Sequence, residues 1–229
     1  PYIDAIEEAG YAFDSGPDLE GAAAILAEKG YEKNADGLYE KDGEVLGLEI
    51  QAHEGFIEKR RVTNNFVDQL QRFGINGTAA IVAGATWNDN KNFGNYEATT
   101  DWDACGSINE PWASMNRYSN LWWTPIGERA LGGNTISRWS GENADAYSAI
   151  VEQIGVMPLG DPAIVDMVVE AYGLWFEDTV DLATVQATKL IPFNTTYWTN
   201  WPTSENNYVH PPTWWQTTHQ LLQNITKAG

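Results

Sequence analysis

Along "PDLEGAAAILAEKG" (17–30) the apolar positions recur with a helical period. Leu19, Ala23 and Leu26 share a face, Asp18 is placed to cap the start, and Gly30 can end the helix. The period then changes. "GLYEKDGEVLGLEIQAH" (37–53) reads as a hairpin turning at "KDG", and Leu46, Leu48 and Ile50 alternate as a half-buried strand should. Phe56 to Phe73 reads as a helix with Ile57, Phe66, Val67 and Leu70 as core contacts and Gly74 as its stop. "GTAAIVAGA" (77–85) is a nearly continuous apolar run, expected of a strand buried on both faces. Strand, helix, strand in this order predicts a crossover unit in a mixed sheet, within an α/β (α+β) fold.

The second half has longer loops. A short helix is expected over 87–95 and a strand over 96–102. Two stronger helices follow, "ENADAYSAIVEQIG" (142–155) and "DPAIVDMVVEAYGLWFED" (161–178), the latter with Asp161 as N-cap and Pro162 at the first helical position. "TVDLATVQATKLI" (179–191) reads as a strand re-entering the core, and a last helix runs from about Pro212 to Ile225.

Composition narrows the function. The 229 residues carry 13 basic and 32 acidic side chains, a formal charge of −19. That balance repels phosphate backbones and anionic lipid, which argues against nucleic-acid or membrane-surface binding. Apolar runs such as "AAAILA" (22–27) are far too short to span a bilayer. The single cysteine, Cys105, excludes an internal disulfide and reads as a buried structural thiol, since no histidine accompanies it. The opening "PYIDAIEEAG" has no initiator Met and no signal-like region, as expected of a mature N-terminus or of a piece of a longer protein.

Catalytic patterns are thin. Asp101 and Asp103 in "DWDACGS" invite a metal or sugar-nucleotide reading, but two carboxylates accepting loop hydrogen bonds explain them more simply. His53, His210 and His219 are scattered and complete no metal site. Glycoside hydrolysis needs two carboxylates held about 5 Å or about 6.5–9.5 Å apart. Asp101, Asp103, Glu110 and Glu128 sit among tryptophans, so a glycoside hydrolase fragment stands as the alternative from another class, although no spacing selects a pair.

All 11 tryptophans lie between Trp87 and Trp215, in a region rich in asparagine and poor in basic residues. Indole has a flat apolar face and one donor, so it stacks on sugar rings while amides bond the hydroxyl rim. Base stacking is disfavoured without a basic groove. Trp175 sits within an amphipathic helix and belongs to the core; Trp122, Trp214 and Trp215 read as core or interface. Trp87, Trp102, Trp112, Trp139, Trp198 and Trp201, flanked by small polar residues in loops, are the ligand candidates. Arg117 is a further ligand candidate, and both it and Arg138 can instead pair with local acids.

Several stretches resemble, in order, landmarks of the ABC-transporter extracellular solute-binding proteins of family 5, the oligopeptide/dipeptide-binding group. They are "AAAILAEKGYEKNADGLYEKDGEVLGLEIQ", "NYEATTDWDACGSINEPWASMNRY", "RWSGENADAYSAIVEQIGVMPLGDP", "QATKLIPF" and "YWTNWPTSENNY". The resemblance implies a type II periplasmic-binding-protein-like lobe. Residues 1–190 would be the C-terminal lobe, and 191–229 a segment returning toward an N-terminal lobe absent from this chain. It also implies solute capture without enzymatic turnover, no cofactor, permease subunits of an ABC transporter as partners, and an extracellular or periplasmic site with membrane anchoring in the full-length protein.

Peptide binders of the group hold the peptide amine with an aspartate shortly before an "NEP"-like turn. Aligning "NEP" (109–111) puts Ser107 there. Some of the members that most resemble this chain, its "YWTNWPT" stretch included, bind β-linked oligosaccharides. The resemblance therefore places Trp102, Ser107 and Asn109 in the cleft loop and favours an oligosaccharide over an oligopeptide as ligand.

Overall fold

The computed structural model describes residues 2–11, 16–102, 110–130, 137–185, 191–209 and 217–229. The chain divides into two units, Pro1–Val185 and Gln186–Gly229.

In the first unit, a helix at Leu19–Glu28 (α2) follows one at Tyr2–Glu8 (α1). Asp18 caps α2 as expected, accepting from the Gly21 amide at 2.8 Å. The apolar face predicted for α2 is not buried, and Leu19 points into water. Next comes a small antiparallel meander, β1 (Glu32–Lys33), β2 (Tyr39–Lys41) and β3 (Glu44–Val45). Its turn at Asp42 and Gly43 has φ of 54° and 83°, the left-handed pair that a two-residue hairpin demands. The hairpin ends at Val45. β4 (Gly47–His53) leaves it for a second sheet, where β5 (Asn76–Val82) and β6 (Ala98–Thr99) flank it in parallel, in the order β5-β4-β6. The sheet holding the crossover is thus wholly parallel rather than mixed, and antiparallel pairing sits in the separate meander.

The crossover helix α3 (Ile57–Phe73) ends at Gly74, whose φ of 113° and close approach to the Gly37 carbonyl no side chain would tolerate. Its buried positions are Lys59, Thr63 and Val67, while the expected core contact Ile57 is exposed. β5 is an edge strand with partly exposed residues, not one buried on both faces, because only β4 pairs with it and α3 covers one side. A second crossover, α4 (Gly84–Phe93), returns to β6. Thr99 bonds the α4 residue Trp87 and the adjacent Thr100 bonds the α3 residue Thr63, so the two helices lie on opposite faces of the sheet.

The remaining elements of the unit, among the described residues, are helices joined by loops. A short turn of helix, α5 (Trp112–Met115), leads to α6 (Glu142–Val156) and α7 (Ala163–Asp178). Ile150, Val151 and Ile154 of α6 and Ile164, Val168, Ala171 and Trp175 of α7 form one apolar cluster with Ile6, Met115 and Tyr147. Asp161 accepts from the Ala163 amide at 3.0 Å, the bond expected of an N-cap, and α7 itself runs from Ala163. The strand expected over 179–191 does not form in its described part: Thr179 turns left-handed at φ 49°, and Leu182 and Val185 are exposed without an element.

The second unit contains β7 (Trp198–Thr199) paired antiparallel with β8 (Thr226–Lys227), and α8 (Thr218–Asn224). Of the helix expected over 212–225, the described part is Thr218–Asn224; residues 210–216, with Trp214 and Trp215, lie outside the described residues.

Candidate functional site

The carboxyl edge of the parallel sheet gathers an unusual set of side chains. β4 delivers His53 and then Phe56, α3 contributes Lys59, α4 contributes Trp87 and Lys91, and the chain beyond β6 supplies Asp101 and Trp102. Connections from β4 and β5 leave to opposite faces, the arrangement that opens a ligand crevice at the carboxyl ends of parallel strands.

Asp101 organises this edge. Its Oδ1 accepts from Lys59 Nζ at 2.7 Å and from the Trp102 amide at 2.8 Å, and its Oδ2 accepts from Lys91 Nζ at 3.0 Å. Burial alone would push the Asp101 carboxyl up, but the hydrogen bonds and charges of Lys59 and Lys91 outweigh it and hold the group below the ordinary carboxylate range. The Lys59 ammonium is enclosed by rings, 4.1 Å from the Trp87 ring centroid, 4.3 Å from Trp102 and 4.8 Å from Phe56. Lys91 lies over Trp87 alone, at 4.5 Å. Phe56 meets Trp102 edge-on at 4.5 Å.

The two tryptophans here differ. Trp87 is 3% exposed, donates through Nε1 to Thr99 Oγ1 at 3.1 Å, and is overlain by both ammonium groups. It supports the site from below and offers no free face. Trp102 is 51% exposed and presents a ring to solvent.

The other sequence-derived candidates are dispersed. Trp112 lies partly exposed against Gly155 of α6, where any side chain would collide with its indole. Glu110 accepts from the Trp112 and Ala113 amides at 2.9 and 3.1 Å, which spends both its oxygens on the start of α5. Arg117 stands among Tyr118, Trp122, Trp123 and Trp139. Among the described residues Arg138 pairs with no acid. Its guanidinium donates to four carbonyls, Thr124, Pro125, Asn92 and Glu128, at 2.6 to 3.0 Å, and so ties the end of α4 to the 124–128 loop. Trp139 is likewise a tie: Nε1 donates to Asp178 Oδ2 at 2.7 Å and the ring stands edge-on to Tyr147. In the second unit Trp201 stacks on Phe193 at 4.9 Å and donates to the Asn194 and Trp198 carbonyls, whereas Trp198 is largely exposed. Ser107 and Asn109, with Asp103 and Cys105, lie outside the described residues.

Sequence reasoning missed Lys59, Lys91 and Phe56. A signal existed in α3, where Lys59 shares the i, i+4, i+8 stripe of Thr63 and Val67, but a lysine at a buried helical position reads as exposed until its carboxylate partner, 42 positions on, is known. Among the described residues, no three His, Cys, Asp or Glu side chains come together in a way that could hold a metal ion, and no helix is long and apolar enough to cross a membrane.

No protein-family model and no curated protein matches the chain. Solved structures do. A periplasmic oligopeptide-binding protein of an oligopeptide ABC transporter from Thermotoga maritima, solved with mannohexaose bound, superposes with a TM-score of 0.74 at 19% identity, over 99% of this chain and 41% of that one. A periplasmic binding protein from Agrobacterium fabrum in complex with stachyose gives 0.56 at 14% identity, over 71% and 25%. The oligopeptide-binding protein of Bacillus subtilis in complex with a nonapeptide gives 0.54 at 16%, over 74% and 32%. The chain therefore has the mixed helix-and-sheet fold of periplasmic binding proteins, and it spans less than half the length of those it resembles.

Proposed function

We propose that this chain is the C-terminal lobe of a solute-binding protein that captures a β-linked oligosaccharide for an ABC importer. The observation that carries the reading is Trp102: a half-exposed indole, fixed from behind by Lys59, Phe56 and Asp101, at the carboxyl edge of a parallel sheet. A rigid ring with one free face suits the C–H face of a sugar. Asp101, the carboxylate beside it, is already occupied by two lysines, so a peptide ammonium finds no free anion there. Of the carboxylates weighed for hydrolysis, Asp101 is paired with lysines and Glu110 is held by the amides that start α5. The reading keeps Ser107 and Asn109 in the cleft loop and treats Trp112 and Arg117 as further contacts, with Trp198 and Trp201 kept as separate candidates within the second unit. It places the full-length protein outside the cytoplasmic membrane, anchored to it and working with permease subunits.

The test is a tryptophan-fluorescence titration of the full-length protein with manno-, cello- and xylo-oligosaccharides against tri- to hexapeptides. A saturable response to a sugar, lost in Trp102→Ala, is the expected result. A response to peptides alone overturns the sugar assignment, and silence from every ligand overturns capture itself.

A further inference from the structure

Lys59 is a costly residue to bury, and stability does not explain it. An ammonium taken out of water loses its hydration, and an apolar side chain of similar volume in such a place is commonly neutral or stabilising. The geometry instead ties Lys59 to one residue. Asp101 Oδ1 accepts from both Lys59 Nζ and the Trp102 amide, and the same ammonium faces the Trp102 ring at 4.3 Å. One side chain thus fixes Trp102 at its backbone, through a shared oxygen, and at its indole, through cation–π attraction. Lys91 makes the comparison. It binds the other oxygen of the same carboxylate and faces Trp87, and no contact of its ammonium with the Trp102 ring accompanies these.

We infer that Lys59 is a positioning residue, which sets the pose of Trp102 as a platform for a neutral sugar ring, while Lys91 serves the carboxylate and Trp87. This inference rests on the proposed role of Trp102 in ligand capture, and its test has an arm that needs no ligand.

Full-length protein is labelled with 5-fluorotryptophan, and the Trp102 and Trp87 fluorine resonances are assigned with Trp102→Phe and Trp87→Phe. Lys59→Met is expected to shift and broaden the Trp102 resonance; Lys91→Met is expected to move that of Trp87 and leave Trp102 in place. Mannohexaose affinity should fall on the order of tenfold more in Lys59→Met than in Lys91→Met. A merely structural role would lower the melting temperature in both variants while leaving the Trp102 resonance where it was, and that outcome overturns the inference. If Lys59→Met does not fold, Asp101→Asn replaces it: an amide oxygen still accepts from the Trp102 backbone but carries no charge to hold the ammonium in its ion pair, so the same displacement is expected and its absence is equally fatal. A displaced Trp102 resonance together with no mannohexaose response in the wild type leaves the positioning role standing and removes the mannohexaose capture reading.

Discussion

Trp175 and Trp102 belong to the same unit and are used in opposite ways. Trp175 lies inside the α6–α7 layer with Tyr118, Tyr172 and Phe176 set around it, and every element near it contributes apolar surface. Trp102 lies at the sheet edge, where its neighbours are the buried Lys59, the half-buried Asp101 and Phe56 and, further in, the buried Trp87, Gln51 and Thr63. The helical layer is held by area removed from water, which is non-directional and tolerant of detail. The sheet edge is held by a few directed interactions, each of which fails if one partner is displaced. A surface that must keep a flat ring in one pose while half of it stays wet needs the second kind of support.

The largest effect should come from the helical layer. Trp175→Ala removes the biggest side chain at the α7 face and is expected to cost about 3–5 kcal/mol, the range for large-to-small changes in a packed core. Urea unfolding measures it. A loss below about 1 kcal/mol would mean that the α6–α7 contact collapses around the hole, and the contrast between the layers would weaken.

Next comes Asp101→Ala, at about 3 kcal/mol, because it leaves two largely buried ammonium groups without their anion. The two layers separate here by pH. The folded Asp101 carboxyl lies below its ordinary value of 3.8, so its contribution is full above that value and is lost as pH falls through the lowered one. Stability curves of wild type and Asp101→Ala should therefore converge below about pH 3.8, whereas those of wild type and Trp175→Ala should stay apart. Parallel curves for Asp101→Ala down to strong acid would show that the carboxylate carries no charge-dependent stabilisation.

The same contrast explains what could be read in advance. The α3, α6 and α7 helices follow from apolar spacing and from stops such as Gly74, because burial of a stripe is written locally. The "KDG" turn is equally local. The strand reading of 179–191 failed in its described part because an apolar pattern shows only that a segment could pair, and residues 180–185 join none of the described strands. At the site, Trp102 was found from composition and resemblance, but Trp87 carries the same flanking chemistry and is buried. Lys91 is a local neighbour, four residues on in the same helix, but nothing near "WNDN" announces that Lys59 will also cover its ring, since that depends on a crossover bringing positions 59, 87 and 101 together.

A smaller effect is expected at the join of the two helices. Trp139→Phe keeps the edge-on contact with Tyr147 and loses the bond to Asp178, for about 1 kcal/mol. Asn143 continues to hold the other Asp178 oxygen at 2.9 Å, which limits the loss. Thermal unfolding of that variant beside Asp178→Asn would show whether the tie acts through the indole or through the charge.

The smallest stability effect should fall on the residue with the largest functional one. Trp102→Ala gives up an edge contact with Phe56 and one cation–π interaction at a half-exposed position, for less than about 1 kcal/mol. Asp101 keeps both lysines, so the buried pairs survive the change. On the proposed reading, affinity for the sugar should nevertheless drop by at least about tenfold, as expected when an aromatic anchor is truncated. The ratio of the two losses is what matters. Trp175→Ala should change stability greatly and, in whatever fraction stays folded, leave affinity alone; Trp102→Ala should do the reverse. If Trp102→Ala proves as destabilising as Trp175→Ala, its ring belongs to the packing of the sheet edge, and the ligand face must be sought among Trp112, Trp198 and the other tryptophans.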